Sequence, residues 1–178
     1  NGVYIRALPT GELSARLLPY LQAEGVLSVS PSLGELGRLR LVTELIQTRM
    51  AHLTEAADLV GPFYVPDDAV VVADDARAAL TDDAPRVLDA ALAALEALGE
   101  ERSGVLGSGS TWTGAAIEAE LREAVVEGLG IKPKFAFGPL RTAVSGRRVS
   151  PPLFESMEIL GRASTLTRLR TLRATLGR

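Results

Sequence analysis

The chain has 178 residues, of which 47% are hydrophobic and 23% charged, with a formal net charge of −3. That is enough apolar material for one ordinary core or two small ones, and it argues against disorder as the main state. The absence of cysteine excludes a disulfide framework, a thiol nucleophile and any thiolate metal site.

No apolar run nears the roughly 20 residues needed to span a bilayer. The first residues also lack the basic start and apolar block of a secretory leader. The chain opens at Asn1 rather than Met, so it is expected to be a piece of a longer protein.

The dominant period is helical. Leu13, Leu17, Leu18 and Leu21 share one face of a helix over Glu12–Gln22, with Gly25 as its stop. Ser30 followed by Pro31 reads as an N-cap and first-turn proline. The helix it opens runs to about Arg49, with Leu36, Leu39, Val42 or Thr43, and Ile46 turned inward. A short helix starts at Thr54-Glu55 and ends near Gly61-Pro62. Phe63–Val72 is the one stretch with strand character, but Pro66 and Asp67-Asp68 favour an irregular connection.

Pro85 then opens a helix with Leu88, Leu92, Leu95 and Leu98 on one face. Glu100–Ser110 is rich in glycine and serine and is expected to be a mobile loop. Thr113 caps a helix with Ile117, Leu121, Val125 and Leu129 inward, closed by Gly128 or Gly130. Phe137–Val144 is helical and stops at Gly146. Ser150 and Pro151 form a second cap-and-proline start. The last helix begins near Ser164, burying Leu166, Leu169, Leu172 and Leu176 and showing Arg168, Arg170 and Arg173 outward. The expected fold is all-α, with a seam within residues 62–75.

Charge is unevenly spread. Residues 132–178 hold ten Lys or Arg against two Glu, a net +8, while residues 1–131 hold nine against twenty acidic groups, a net −11. A basic end on an acidic body draws polyanions to one surface. Lys132, Lys134, Arg141, Arg147 and Arg148 lie within 17 residues, interleaved with Phe135 and Phe137. Such cations bind phosphates by releasing counterions, and planar Arg groups pair with base edges or stack on them. Unpaired RNA bases are their usual sequence-specific targets. With aromatics at only 4%, the two phenylalanines are read as core rather than stacking surfaces.

Catalytic chemistry finds no support. His52 is the one histidine, read as structural or solvated. Ser108 and Ser110 lack the strand–turn–helix setting of a nucleophile. The pairs Asp67-Asp68, Asp74-Asp75 and Asp82-Asp83 are read as helix-start residues rather than cation ligands. The Gly-Ser run at 107–110 lacks the lysine of a phosphate loop.

Several blocks together are distinctive: Asn1-Gly2-x-Tyr4-Ile5-Arg6, Trp112-Thr113, Pro139-Leu140-Arg141-x-Ala143-x-x-Gly146, and Pro152-Leu153-Phe154-Glu155 with Leu160-Gly161. In this order the chain resembles, end to end, the C-terminal anticodon-binding region of bacterial glutamyl-tRNA synthetases. The resemblance implies an all-α fold of the class I synthetase anticodon-binding type. A helix bundle, residues 1–72, would be followed by a helix cage, residues 73–178. The partner implied is the anticodon loop of glutamate tRNA, selected for ATP-dependent charging in protein biosynthesis.

The resemblance assigns the third anticodon base to Arg49, with Gln47 two residues earlier as the other register. It assigns the remaining bases to Arg141, Ser150 and Leu153, and Lys132, Lys134, Arg147 and Arg148 are the phosphate contacts. No HIGH-type or KMSKS-type signature occurs in the chain. No catalytic residue, metal or cofactor is therefore expected here; ATP and magnesium would belong to a catalytic half, which is itself a partner in the same polypeptide. A cytoplasmic monomer is expected. The alternative, from another class, is a helical protein-interaction module whose basic end docks an acidic partner.

Overall fold

The structure is a computed structural model that describes residues 2–100 and 111–177. The expected mobile loop, with Ser108 and Ser110, falls on residues 101–110, outside the described residues, as does Asn1. Ten α-helices and no strand occur among the described residues. The chain divides into two compact units, Asn1–Val65 and Pro66–Arg178.

The first unit holds α1 (Gly2–Ala7), α2 (Thr10–Ala23), α3 (Leu33–Ile46) and α4 (Ala56–Val60), with single 3₁₀ turns on either side of α4. Leu13, Leu17 and Leu21 of α2 are fully buried against Leu39, Val42 and Ile46 of α3, and Leu18 is only partly covered. Burying one such side chain is worth about 1.5–3 kcal/mol. α2 ends in the predicted manner. Gly25 takes φ +70°, and the Gly25 and Val26 N–H groups bond back to the Gln22 and Leu21 carbonyls.

The cap of α3 is Ser32, not Ser30. Ser32 and Glu35 form a capping box, in which the Glu35 N–H bonds Ser32 Oγ at 3.2 Å and the Ser32 N–H bonds Glu35 Oε2 at 2.7 Å. Ser30 has no carboxylate three residues on to return that second bond, and two reciprocal bonds outweigh one. The Ser32 N–H and the Ser32 hydroxyl, both donating to Glu35 Oε2, hold the Glu35 carboxyl below its ordinary range. The helix also stops at Ile46, so Arg49 lies in the turn beyond it. Gln47 closes the unit: its Nε2 donates to the Ile5 and Leu8 carbonyls at 2.9 and 2.8 Å, tying the end of α1 to the end of α3. Arg38 donates to the Phe63 carbonyl, and Tyr64 Oη donates to the Glu35 carbonyl at 2.7 Å.

The second unit holds α5 (Asp74–Ala78), α6 (Ala84–Glu100), α7 (Gly114–Leu121), α8 (Pro133–Ser145), α9 (Leu153–Leu160) and α10 (Arg162–Thr175). α7 runs on as a π-helical turn over Arg122–Glu127. Leu88 and Leu95 of α6, Ile117 and Leu121 of α7, Leu140 of α8, Met157 of α9 and Leu169 of α10 meet in one core. Thr113 caps α7 by accepting the Ala116 N–H, while Trp112 Nε1 donates to the Met157 carbonyl at 2.9 Å and so fixes α7 against α9.

Residues 66–72, read with the first part of the chain, are held by the second unit. Arg168 is not on the outer face of α10, as its spacing predicted, but 2% exposed. Its Nε donates to Asp67 Oδ1 at 2.7 Å and its Nη1 to the Val144 carbonyl at 2.7 Å. A guanidinium tolerates burial only when paired and hydrogen-bonded in this way. The Ala73 N–H bonds the Gly146 carbonyl at 2.8 Å. Gly146 itself stands at φ +69°, and a Cβ there would lie 2.2 Å from the Val71 carbonyl oxygen.

Candidate nucleic-acid interface

The expected helix over Phe137–Val144 starts four residues earlier, because Pro133 occupies its first turn with Lys132 as the cap residue. The extension determines which way the basic segment points. Ala136, Leu140, Ala143 and Val144 form the buried stripe of α8. Lys134 and Phe135 fall off that stripe, and both are exposed.

Pro133, Lys134, Phe135, Gly138, Arg141 and Thr142 form one wall of a concavity of about 630 Å³. Phe137, Ala79 and Leu80, the last two beyond α5, and Arg148 complete its lining. Three cations line it and no acidic residue does. A second concavity of about 640 Å³, beside the start of α6, has Arg77, Arg86 and Arg173 opposed by Asp82 and Asp89. There Arg173 pairs with Asp89 at 2.8 Å, and Arg86 pairs with neighbouring Asp83 at 2.9 Å, so its charge largely cancels. Of these two, the first has cations and no carboxylate among its described lining residues, which suits a polyanion.

The site residues predicted from sequence divide into three groups. Lys134, Arg141 and Arg148 come together in the groove. Lys132 and Arg147 are exposed on the flanking turns but do not line it. Ser150 and Leu153 lie below the surface, 7% and 4% exposed. Ser150 does not cap α9; the cap position is Pro152 and the helix begins at Leu153. The Ser150 hydroxyl instead donates to the Pro151 carbonyl at 3.1 Å and accepts from Arg141 Nη1 at 3.0 Å. Arg141 Nη1 also donates to the Pro151 carbonyl at 3.2 Å. The Arg141 guanidinium is therefore oriented by the chain that precedes α9, and Leu153 belongs to the core that seats that chain.

Phe135 corrects the sequence reading, being 47% exposed rather than core. Its signal was present: with α8 begun at Pro133, the helical register puts Phe135 outside the Ala136–Leu140–Ala143 stripe. Phe137 does pack, edge to face on Phe154 with ring centroids 5.3 Å apart. Arg49, in the first unit, is exposed in the turn after α3. Among the described residues no group of three or more His, Cys, Asp or Glu side chains is placed to hold a metal, and no helix is long and apolar enough to cross a membrane.

Over 176 residues the chain is 56% identical to the glutamate–tRNA ligase of Kineococcus radiotolerans and 50% identical to that of Kocuria rhizophila. Each alignment takes in 99% of this chain and 33% of the relative, so the chain spans about a third of the length of the relatives it matches. The fold matches that of a crystal structure of a glutamate tRNA ligase from Elizabethkingia meningosepticum in complex with its amino acid. That match has a TM-score of 0.74 at 16% identity and covers 99% of this chain and 31% of the other. The sequence profile of the anticodon binding domain family matches residues 12–173. This all-α chain belongs to the anticodon binding domain family.

Proposed function

We propose that the chain is the anticodon-recognition part of a glutamate–tRNA ligase, gripping the anticodon loop of glutamate tRNA for ATP-dependent charging by the rest of the enzyme. The observation that carries this reading is the groove along α8, lined by three cations and no carboxylate, in a chain of this family whose relatives bear that name. Lys132, Lys134, Arg147 and Arg148 hold phosphates, and Arg141 meets a base. Phosphate contacts set the register of the loop and base contacts set the sequence preference.

Ser150 acts through Arg141, fixing the direction of its guanidinium, and Leu153 anchors that turn from below. Arg49 reads the third anticodon base. The other register is disfavoured because Gln47 spends its amide on the Ile5 and Leu8 carbonyls. The two units serve as the two anticodon-binding subdomains. ATP and magnesium belong to the remainder of the ligase, which works as a monomer in the cytoplasm.

The test is a fluorescence titration against glutamate tRNA and an anticodon-substituted version at two salt concentrations. Binding that falls steeply with salt and is lost on anticodon substitution is expected. Equal affinity for both RNAs would refute anticodon recognition. Binding to an acidic protein but not to RNA would favour a protein-docking role instead.

A further inference from the structure

The chain has four phenylalanines, and three are turned into the packing. Phe63 is 2% exposed, while Phe137 and Phe154 sit edge to face beside the core of the second unit. Phe135 and Phe137 both line the groove, but Phe135 is 47% exposed and has no aromatic partner among the described residues. A ring left in water forgoes the burial energy that Ala136 and Leu140 collect on the same helix.

The ring borders an open shelf. Gly138, almost one turn on, has no side chain, and nothing outside its own helix backbone and chain neighbours lies within 4 Å of where a Cβ would stand. The glycine has a local explanation. A side chain at that position would crowd the ring of Pro139, which follows it in the helix. The consequence is a stretch of helix surface between Phe135 and Thr142 that no side chain at 138 covers. Cations flank it: Lys134 Nζ lies over one face of the Phe135 ring, 5.7 Å from its centroid, leaving the other face to a ligand, and Arg141 and Arg148 line the same concavity. An apolar helix would satisfy the ring but offer nothing to Lys134 and Arg148. An acidic peptide would do the reverse. A flat apolar face joined to an anion satisfies both, and that is the chemistry of a nucleotide.

We propose that Phe135 is the stacking surface for one unpaired nucleobase, lying over the bare helix at Gly138, with Lys134 and Arg148 on the adjoining phosphates. This rests on the RNA-binding reading above and deepens it by naming the side chain that takes the face of a base.

Stacking and phosphate contact are separable by salt. Counterion release sets the slope of log K against log salt, and losing one phosphate contact lowers that slope by about one. Losing a stacked base leaves the slope alone and costs about tenfold in affinity. The experiment titrates the anticodon stem-loop of glutamate tRNA into the intact protein and its Phe135→Leu, Phe135→Tyr and Arg148→Ala variants across a salt series, with thermal melting of each. Abasic substitutions at successive loop positions form a second arm.

Phe135→Leu is expected to bind about tenfold more weakly at every salt concentration, with an unchanged slope and melting temperature. Phe135→Tyr should bind like the parent, and one abasic position should weaken the parent but not Phe135→Leu. Parent-like binding by Phe135→Leu, beside a weaker and shallower Arg148→Ala, would overturn this inference alone. So would a slope change in Phe135→Leu matching that of Arg148→Ala. If Phe135→Leu melts early, the abasic arm on Phe135→Tyr decides, and the absence of any sensitive position overturns the inference. No RNA binding by the parent protein would overturn the RNA reading, and this inference with it.

Discussion

Gly146→Ala offers a quantitative probe of how the basic segment is held. Gly146 and Gly130 share nearly the same left-handed backbone, φ +69° and +67°. An L side chain in that region costs about 1–2 kcal/mol whatever its surroundings. At Gly130 nothing lies within 4 Å of a built Cβ, so Gly130→Ala should cost that amount and no more.

At Gly146 the same Cβ would sit 2.2 Å from the Val71 carbonyl oxygen and 3.3 Å from Val70 Cγ1. The oxygen is backbone and cannot rotate away. Relief requires the 70–73 segment to move, which breaks the 2.8 Å bond from the Ala73 N–H to the Gly146 carbonyl. Leaving such a pair unmade costs a further 1–3 kcal/mol, roughly. The expected loss is about 2–5 kcal/mol for Gly146→Ala, at least 1 kcal/mol more than for Gly130→Ala. Urea unfolding followed by the fluorescence of Trp112, the single tryptophan, reports on this unit. Equal losses for the two variants would refute the argument that the 66–73 segment is clamped against the end of α8.

The remaining predictions concern recognition and pH. Arg141→Ala should weaken binding of the cognate stem-loop by about 1–3 kcal/mol. Ser150→Ala should weaken it less, and should add nothing in the Arg141→Ala background; additive losses in that cycle would show that Ser150 acts independently of Arg141. Arg49→Gln in the intact enzyme should narrow the preference for glutamate over glutamine tRNA, and an unchanged charging ratio would count against Arg49 as the reader.

Burial, with Glu35 adding and Arg38 opposing, pushes the Tyr64 hydroxyl up to about 12. A group whose pKa is raised on folding holds more protons in the native state, so its contribution is complete below pH 10 and lost as pH rises toward 12. The ionised oxygen can no longer donate to the Glu35 carbonyl. Ultraviolet titration should show one late tyrosinate step that Tyr64→Phe abolishes; a late step that survives the substitution would refute this.

Much of the architecture was legible in the chain, because periodic leucines, glycine stops and the clustering of charge are local facts. Leu13, Leu17 and Leu21, Leu88 and Leu95, and Ile117, Leu121 and Val125 are buried as the period requires, with Leu18 and Leu92 at the edges only partly covered. The basic end and the Pro-Leu-Arg and Pro-Leu-Phe-Glu blocks were visible without coordinates. What only tertiary structure decided is where each polar group found its partner. Ser32 took the cap from Ser30 because Glu35 was there to answer it. Arg168 turned inward because Asp67, 101 residues away in sequence, and the Val144 carbonyl met it there. Ser150 gave up a cap to hold Arg141. Phe135 stayed in solvent because α8 began at Pro133 and rotated it off the core stripe. Helical period can be read from a few neighbouring residues, but hydrogen-bond satisfaction is settled among groups that only folding brings together.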